Sequence, residues 1–110
     1  MNNRETALEY LRCFCDGDIS GLEPLLAEDL QFSGPLFQFD NRAAYLDSLT
    51  ADPLEKYSFK ILSITESPQA VAIFYDFEKR DRDLTIAQMF KFKNQEIAEI
   101  IIVFDGRGFE

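Results

Sequence analysis

Between Tyr57 and Phe104, side chains of like character recur at every second position in four successive runs. Tyr57, Phe59 and Ile61 form the first, and Val71, Ile73, Tyr75 and Phe77 the second. Ile86, Gln88, Phe90 and Phe92 form the third, and Ala98, Ile100, Ile102 and Phe104 the last. A period of two belongs to strands with one covered face. The connections are short, at Ser67-Pro68-Gln69, the charged "EKRDRD" and Asn94-Gln95, and so predict consecutive hairpins: an antiparallel meander. Whatever precedes the meander has to cover its apolar face.

The preceding residues have the period of helices. Asn2 can cap a first helix, with Glu5 as its reciprocal partner and Ala7, Leu8, Leu11, Phe14 and Cys15 as its apolar stripe. Gly17 suits the left-handed position that ends it. Asp18 or Ser20 then caps a shorter helix whose Ile19, Leu22, Leu25 and Leu26 face inward, with Pro24 near its first turn. Leu30 to Ser33 reads as a strand ended by Gly34-Pro35, and Leu36 to Phe39 as a short returning strand. Asp29 falls at the end of the second helix. Asp40 or Asn41 caps a third helix, Arg42 to Leu49, with Ala43, Tyr45, Leu46 and Leu49 apolar, and "TADPLEK" links it to the meander. Helices first and a meander last predict one α+β domain over residues 1–110, with three N-terminal helices on the concave face of a curved antiparallel sheet.

The last strand carries a second apolar set, Ile97, Ile101 and Val103, opposite the first. One face closes on the helices. The other is expected to meet a second copy of the chain, since a large apolar face is seldom left wet.

Twenty Asp and Glu against eleven Lys and Arg give a formal charge of -9, which repels phosphate backbones and anionic membranes. Nucleic acid and membrane are therefore not expected as partners. The first ten residues lack the apolar core of a signal peptide, and the longest purely apolar run, Ile100 to Phe104, is far too short to cross a bilayer, so the cytoplasm is the expected location. Cys13 and Cys15 point to nearly opposite sides of a helix and read as small buried apolar residues. The chain has no His, so any general acid or base at neutral pH would be a carboxylate, Tyr, Lys or Cys with a shifted pKa. No metal or organic cofactor is expected.

The long helix ending in "DGD", the short helix reading "LLAEDL", the strand before Gly34-Pro35, the third helix and the meander with "QMFKFKNQEI" together resemble the nuclear-transport-factor-2-like superfamily, especially its SnoaL-like and ketosteroid-isomerase-like members. The resemblance covers nearly the whole chain. It implies a cone with an internal apolar pocket and pairing as homodimers through the outer sheet face. It also implies a pocket wall made by Tyr10, Phe14, Ser33, Phe37, Ile73, Tyr75, Phe77, Gln88, Phe90, Ile102 and Phe104. Tyr10, seven residues before Gly17, matches the tyrosine that donates to the substrate carbonyl in isomerase-like members. Gln88, before Phe90 and Phe92, stands where they have a neutral Asp. Gly34, before Pro35, stands where they have the Asp base, and the His of the SnoaL-like cyclases has no counterpart.

One donor is kept, one is exchanged for another donor, and the base position is empty. Donors alone stabilise charge that a base must first create, as the ketosteroid isomerase case teaches. The expected function is binding of a small, largely apolar molecule through one carbonyl or hydroxyl, oriented by Tyr10 and Gln88. The alternatives are an isomerase-like or polyketide-cyclase-like enzyme acting on an apolar carbonyl compound, using Asp29 or Asp40 as a substitute base, and a non-catalytic dimeric interaction module with a filled core. Asp76 and Glu78 are expected to point away from the pocket. Arg107 and Gly108 could close the mouth of a neighbouring pocket.

Overall fold

In the computed structural model, residues 2–51, 56–78 and 83–105 are described. Residues 52–55 of the linker, 79–82 of the charged hairpin tip, and Arg107 and Gly108 lie outside them. The helix α1 (Asn3–Asp16) begins with the expected capping box: the Glu5 N–H donates to Asn2 Oδ1 at 2.8 Å while the Glu5 side chain accepts from the Asn2 N–H. It ends at Gly17, whose φ of 73° lets its own N–H and that of Asp18 turn back to the carbonyls of Phe14 and Cys13. The next helix, α2 (Ile19–Leu22), starts at once, with Asp18 Oδ1 accepting from the Gly21 N–H at 3.0 Å.

The second helix is shorter than its apolar spacing predicts. Pro24 cannot donate to a continuing helix, and the chain tightens into a 3-10 turn over Glu23–Leu25 before strand β1 (Leu26–Ser33). Leu22, Leu25 and Leu26 are all buried, but Leu26 is reached by strand rather than by helix. Asp29, placed by the sequence at a helix end, is therefore an exposed strand residue. A two-residue strand, β2 (Gln38–Phe39), returns against β1, and helix α3 (Arg42–Ala51) follows. Asn41 is its cap, accepting from the Ala44 N–H at 2.7 Å, which decides between the two candidates.

The meander forms as β3 (Ser58–Ser67), β4 (Ala70–Glu78), β5 (Asp83–Lys93) and β6 (Glu96–Val103). Asn94 and Gln95 both have positive φ, 53° and 68°, the twist a two-residue hairpin requires between β5 and β6. The sheet order is β2-β1-β6-β5-β4-β3, and only β1 and β6 pair in parallel. The sheet is curved and unclosed. Register shifts between Leu26 and Gln31, between Ile61 and Ser63, and between Lys91 and Phe92 interrupt strict alternation, as bulges do where a sheet bends.

These shifts correct one assignment. Ile97, expected on the outer face with Ile101 and Val103, pairs with Leu26 and is fully buried in the core, as is Ile100 three residues on. Past the irregularity the alternation resumes. Ile101 lies opposite Met89, Val103 opposite Ala87, and Ala87 opposite Phe74, so these side chains share the outer face. Val103 is 60% exposed, Phe74 51% and, at the β3 shift, Leu62 50%. The helices cover the opposite face, where Ala7, Tyr10, Leu11, Leu22, Tyr45, Val71, Ile73 and Phe90 join one core.

Candidate functional site

The register of the meander puts Gln88 on the covered face, between Ile73 of β4 and Ile102 of β6. Burying an amide among aliphatic neighbours is costly unless its polar atoms are paired. Tyr75, two residues along β4 from Ile73, meets the need: its hydroxyl donates to Gln88 Oε1 at 2.7 Å. From the helix layer α1 lowers Tyr10, and α3 lowers Tyr45, until their hydroxyls hydrogen-bond each other. The Gln88 side chain also bears on the Tyr10 phenol, with a hydrogen bond that favours its ionised form. All four residues are buried, none more than 3% exposed. Among the described residues no buried side-chain nitrogen or oxygen lacks a partner.

Burial is the main influence on all three phenols. It pushes Tyr10, Tyr45 and Tyr75 up from their ordinary value, and the bonds from Tyr45 and Gln88 only partly oppose it at Tyr10. The cluster is therefore neutral through the physiological range. Its hydrogens do not balance, however. Tyr10 and Tyr45 bring two O–H hydrogens and the bond between them uses one, so the other is available to a further acceptor.

The surroundings grade from packed to open. Toward the turns that join β3 to β4 and β5 to β6, Val71, Phe90, Ile97 and Leu26 are fully buried and fill the end of the cone. Toward the other end, where β3 begins and β6 finishes, Phe14, Tyr57, Leu84, Ile102 and Phe104 are only half-buried. Rings crowd this rim: Tyr57 lies 4.7 Å from Phe77 and Phe14 6.4 Å from Phe77, centroid to centroid. The Tyr57 N–H donates to the Cys15 carbonyl at 2.8 Å, tying the start of β3 to the end of α1.

Of the side chains assigned to the pocket wall, Tyr10, Ile73, Tyr75, Phe77, Gln88 and Phe90 come together in the core, and Phe14, Ile102 and Phe104 pack against it. Two do not. Ser33 pairs with Ile101 on the outer face, because Phe32 before it points inward and strand neighbours alternate. Phe37 precedes the first paired residue of β2, is 58% exposed, and stacks on Phe39 at 6.4 Å. Tyr45 belongs to the cluster and was not singled out by sequence. Its signal was present, a hydroxyl on the apolar stripe of α3, where a buried tyrosine must find a partner.

Neither candidate base reaches the cluster. Asp29 and Asp40 are exposed and line a surface cleft of about 600 Å³ with Glu28, Asn41, Lys93 and Glu96. Asp76 accepts from Thr85 Oγ1 at 2.7 Å on the exposed face, as expected. Gly34 has a packing reason of its own, since a Cβ there would stand 2.7 Å from Ile102 Cγ2. Cys13 and Cys15 are free and buried, and burial, then Asp16, pushes the Cys15 thiol up to about 11, away from reactive thiolate character. Among the described residues no group of His, Cys, Asp and Glu could hold a metal ion, and no helix is long and apolar enough to cross a membrane.

Solved structures repeat this architecture at low sequence identity. An NTF2-like protein of unknown function from Cytophaga hutchinsonii superposes with a TM-score of 0.85 at 19% identity, covering 100% of this chain and 96% of the other. A candidate ketosteroid isomerase from Kribbella flavida gives 0.81 at 15%, covering 94% and 77%. An LEH-like epoxide hydrolase of M. tuberculosis gives 0.78 at 15%, covering 94% and 82%. Among curated proteins none matches. The model of the SnoaL-like domain matches residues 7–100, most of the chain, and the chain therefore belongs to the SnoaL-like domain family.

Proposed function

We propose that the chain binds a small, neutral, largely apolar molecule inside the cone, holding one oxygen of it against the Tyr10–Tyr45 pair. The observation that carries this reading is the buried Tyr10–Tyr45 pair, which brings two phenol hydrogens and uses one in the bond between them. Tyr10 is the donor that faces the ligand. The Tyr45 hydroxyl and the Gln88 side chain both favour its ionised form, which makes its O–H a stronger donor. Gln88 thus supports the donor instead of sharing the ligand with it. The half-buried rim of Phe14, Tyr57 and Phe104 is where such a molecule would pass. Among the described residues no cation belongs to the cluster, so a buried carboxylate would keep its charge uncompensated there.

The outer face, with Phe74, Ile101 and Val103, would pair with a second copy. Its charges, Lys60 and Lys91 with Asp76, Glu78, Asp83 and Glu99, include both signs, so opposite charges can face each other across a two-fold. The proposal places the protein in the cytoplasm. An enzymatic reading is weaker, because Gly34 leaves no base and Asp29 and Asp40 are outside the cone. A filled dimeric module is the second reading, favoured because no buried side-chain nitrogen or oxygen among the described residues lacks a partner atom.

Ligand-observed NMR with acetophenone, against benzoate of the same size, tests the first reading. Acetophenone should bind wild type and bind Tyr10→Phe about tenfold more weakly, the worth of one hydrogen bond. Benzoate should not bind. Equal binding of both probes, or of acetophenone to both proteins, would remove the proposal.

A further inference from the structure

The strand register lays the outer face out in rows that cross the sheet. One row runs Ala70, Lys91, Glu99, Gln31, from β4 through β5 and β6 to β1. The next, nearer the rim, runs Ala72, Met89, Ile101, Ser33. The third is Phe74, Ala87, Val103, in which Phe74 and Val103 are more than half exposed. Asp76 and Thr85 continue toward the rim. Within one chain Lys91 Nζ and Glu99 Oε1 meet at 3.3 Å.

Two copies that pack by this face are related by a two-fold axis lying in the plane between them, and the rows decide where it runs. An axis along β5 would set Lys91 against the partner's Lys91. One along β6 would set Glu99 against the partner's Glu99. An axis across the strands would lay charged positions on apolar ones: through the Phe74 row it sets Asp76 on the partner's Ala72, and through the Met89 row it sets Glu99 on the partner's Val103. An axis along the strands between β5 and β6 does none of these. Each Lys91 then faces the partner's Glu99, and each Met89 the partner's Ile101. Each Val103 faces the partner's Ala87, so the most exposed bulky side chain of the face meets a small one.

We infer that a second copy docks about this axis, and that the two cones therefore open side by side at one end of the dimer. Rotation about an axis along the strands does not reverse their direction, so the half-buried rims where β3 begins and β6 finishes stay at the same end. This rests on the proposed pairing of outer faces and adds to it how the copies are arranged.

The test uses Ala72 and Ser33, which stand equally far from the axis on opposite sides, so that each faces the other's counterpart in the partner. Like positions lie three strand spacings apart, roughly 14 Å, too far for a disulfide. Oxidised under native conditions, Ser33→Cys/Ala72→Cys should run at twice the chain mass on a non-reducing denaturing gel. Each single variant should run at the chain mass, as should the wild type, whose Cys13 and Cys15 are buried. Gln31→Cys/Ala70→Cys occupies the equivalent places one row away and decides if the first pair does not fold. A cross-linked single variant, or no cross-link in a double variant that sediments as a dimer, overturns the axis and leaves the pairing of outer faces standing. A wild type that sediments as a monomer at micromolar concentration removes both.

Discussion

Gly34 packs against Ile102 so closely that a Cβ on Gly34 would stand 2.7 Å from Ile102 Cγ2. The methyl belongs to a β-branched side chain on a paired strand and has little freedom to retreat. The glycine therefore serves the joining of β1 to β6, and a side chain added there would disturb that seam.

Gly34→Ala should accordingly destabilise the fold by about 1 to 3 kcal/mol, the cost of overpacking a tight site. Gly34→Asp should do so at least as strongly and should yield no isomerisation of a standard enone. In an Ile102→Ala background, where the obstructing methyl is gone, the added cost of Gly34→Ala should shrink. Urea denaturation of the four proteins gives the coupling. An additive result would show that Ile102 is not the obstacle.

On the outer face, Val103→Lys would bury an unpaired charge in the proposed dimer interface, where breaking a contact costs several kcal/mol. The wild type should sediment as a dimer at micromolar concentration and Val103→Lys as a folded monomer. A monomeric wild type would leave this face without its proposed partner.

The elements that were legible in the sequence are those whose signals are local. The Asn2–Glu5 capping box, the left-handed Gly17 and the two-residue turn at Asn94-Gln95 each need only a few neighbouring residues to be satisfied. What was misread depends on partners distant in the chain. Leu26 fits a helix stripe as well as it fits a strand, and its pairing with Ile97 decides. The same pairing reverses the face of Ile97, because a bulge is invisible to strict alternation. Within the site, Tyr10 and Gln88 were legible as polar groups on apolar faces. Tyr75 was expected beside them in the pocket wall, whereas Tyr45 became a partner only when α3 was placed against them.

The phenols also set a pH limit. Burial holds Tyr10, Tyr45 and Tyr75 protonated in the folded state beyond the pH at which they ionise in the unfolded chain, about 10. Below that pH both states carry the proton and stability is unaffected by these groups. Above it the unfolded chain releases protons that the folded one retains, so stability falls as pH rises, by up to about 1.4 kcal/mol per pH unit for each tyrosine. Urea midpoints should hold level, as far as the phenols act, from about pH 7 to 9 and drop steeply above 10. Replacing Tyr45 by Phe should make that drop shallower. Binding of a neutral carbonyl probe should change little between about pH 6 and 8, where no phenol titrates.

The amide offers a last and sharper test. Taken alone, a buried glutamine on an apolar strand face invites replacement by leucine as a stabilising change. The contacts argue the opposite. Gln88→Leu would leave the Tyr75 hydroxyl buried with its hydrogen unpaired, and an orphaned buried group costs about 1 to 3 kcal/mol. The single substitution should thus lower stability. Adding Tyr75→Phe removes the orphaned hydroxyl, so the double variant should recover part of the loss, a coupling of the size expected for residues that share one bond. Tyr10→Phe should cost more than Tyr45→Phe, because Tyr10 has two polar partners to strand and Tyr45 one. Urea denaturation of the single and double variants measures each term. A Gln88→Leu protein more stable than wild type, with Tyr75→Phe adding no recovery, would mean that the Tyr75–Gln88 bond does not hold this core together.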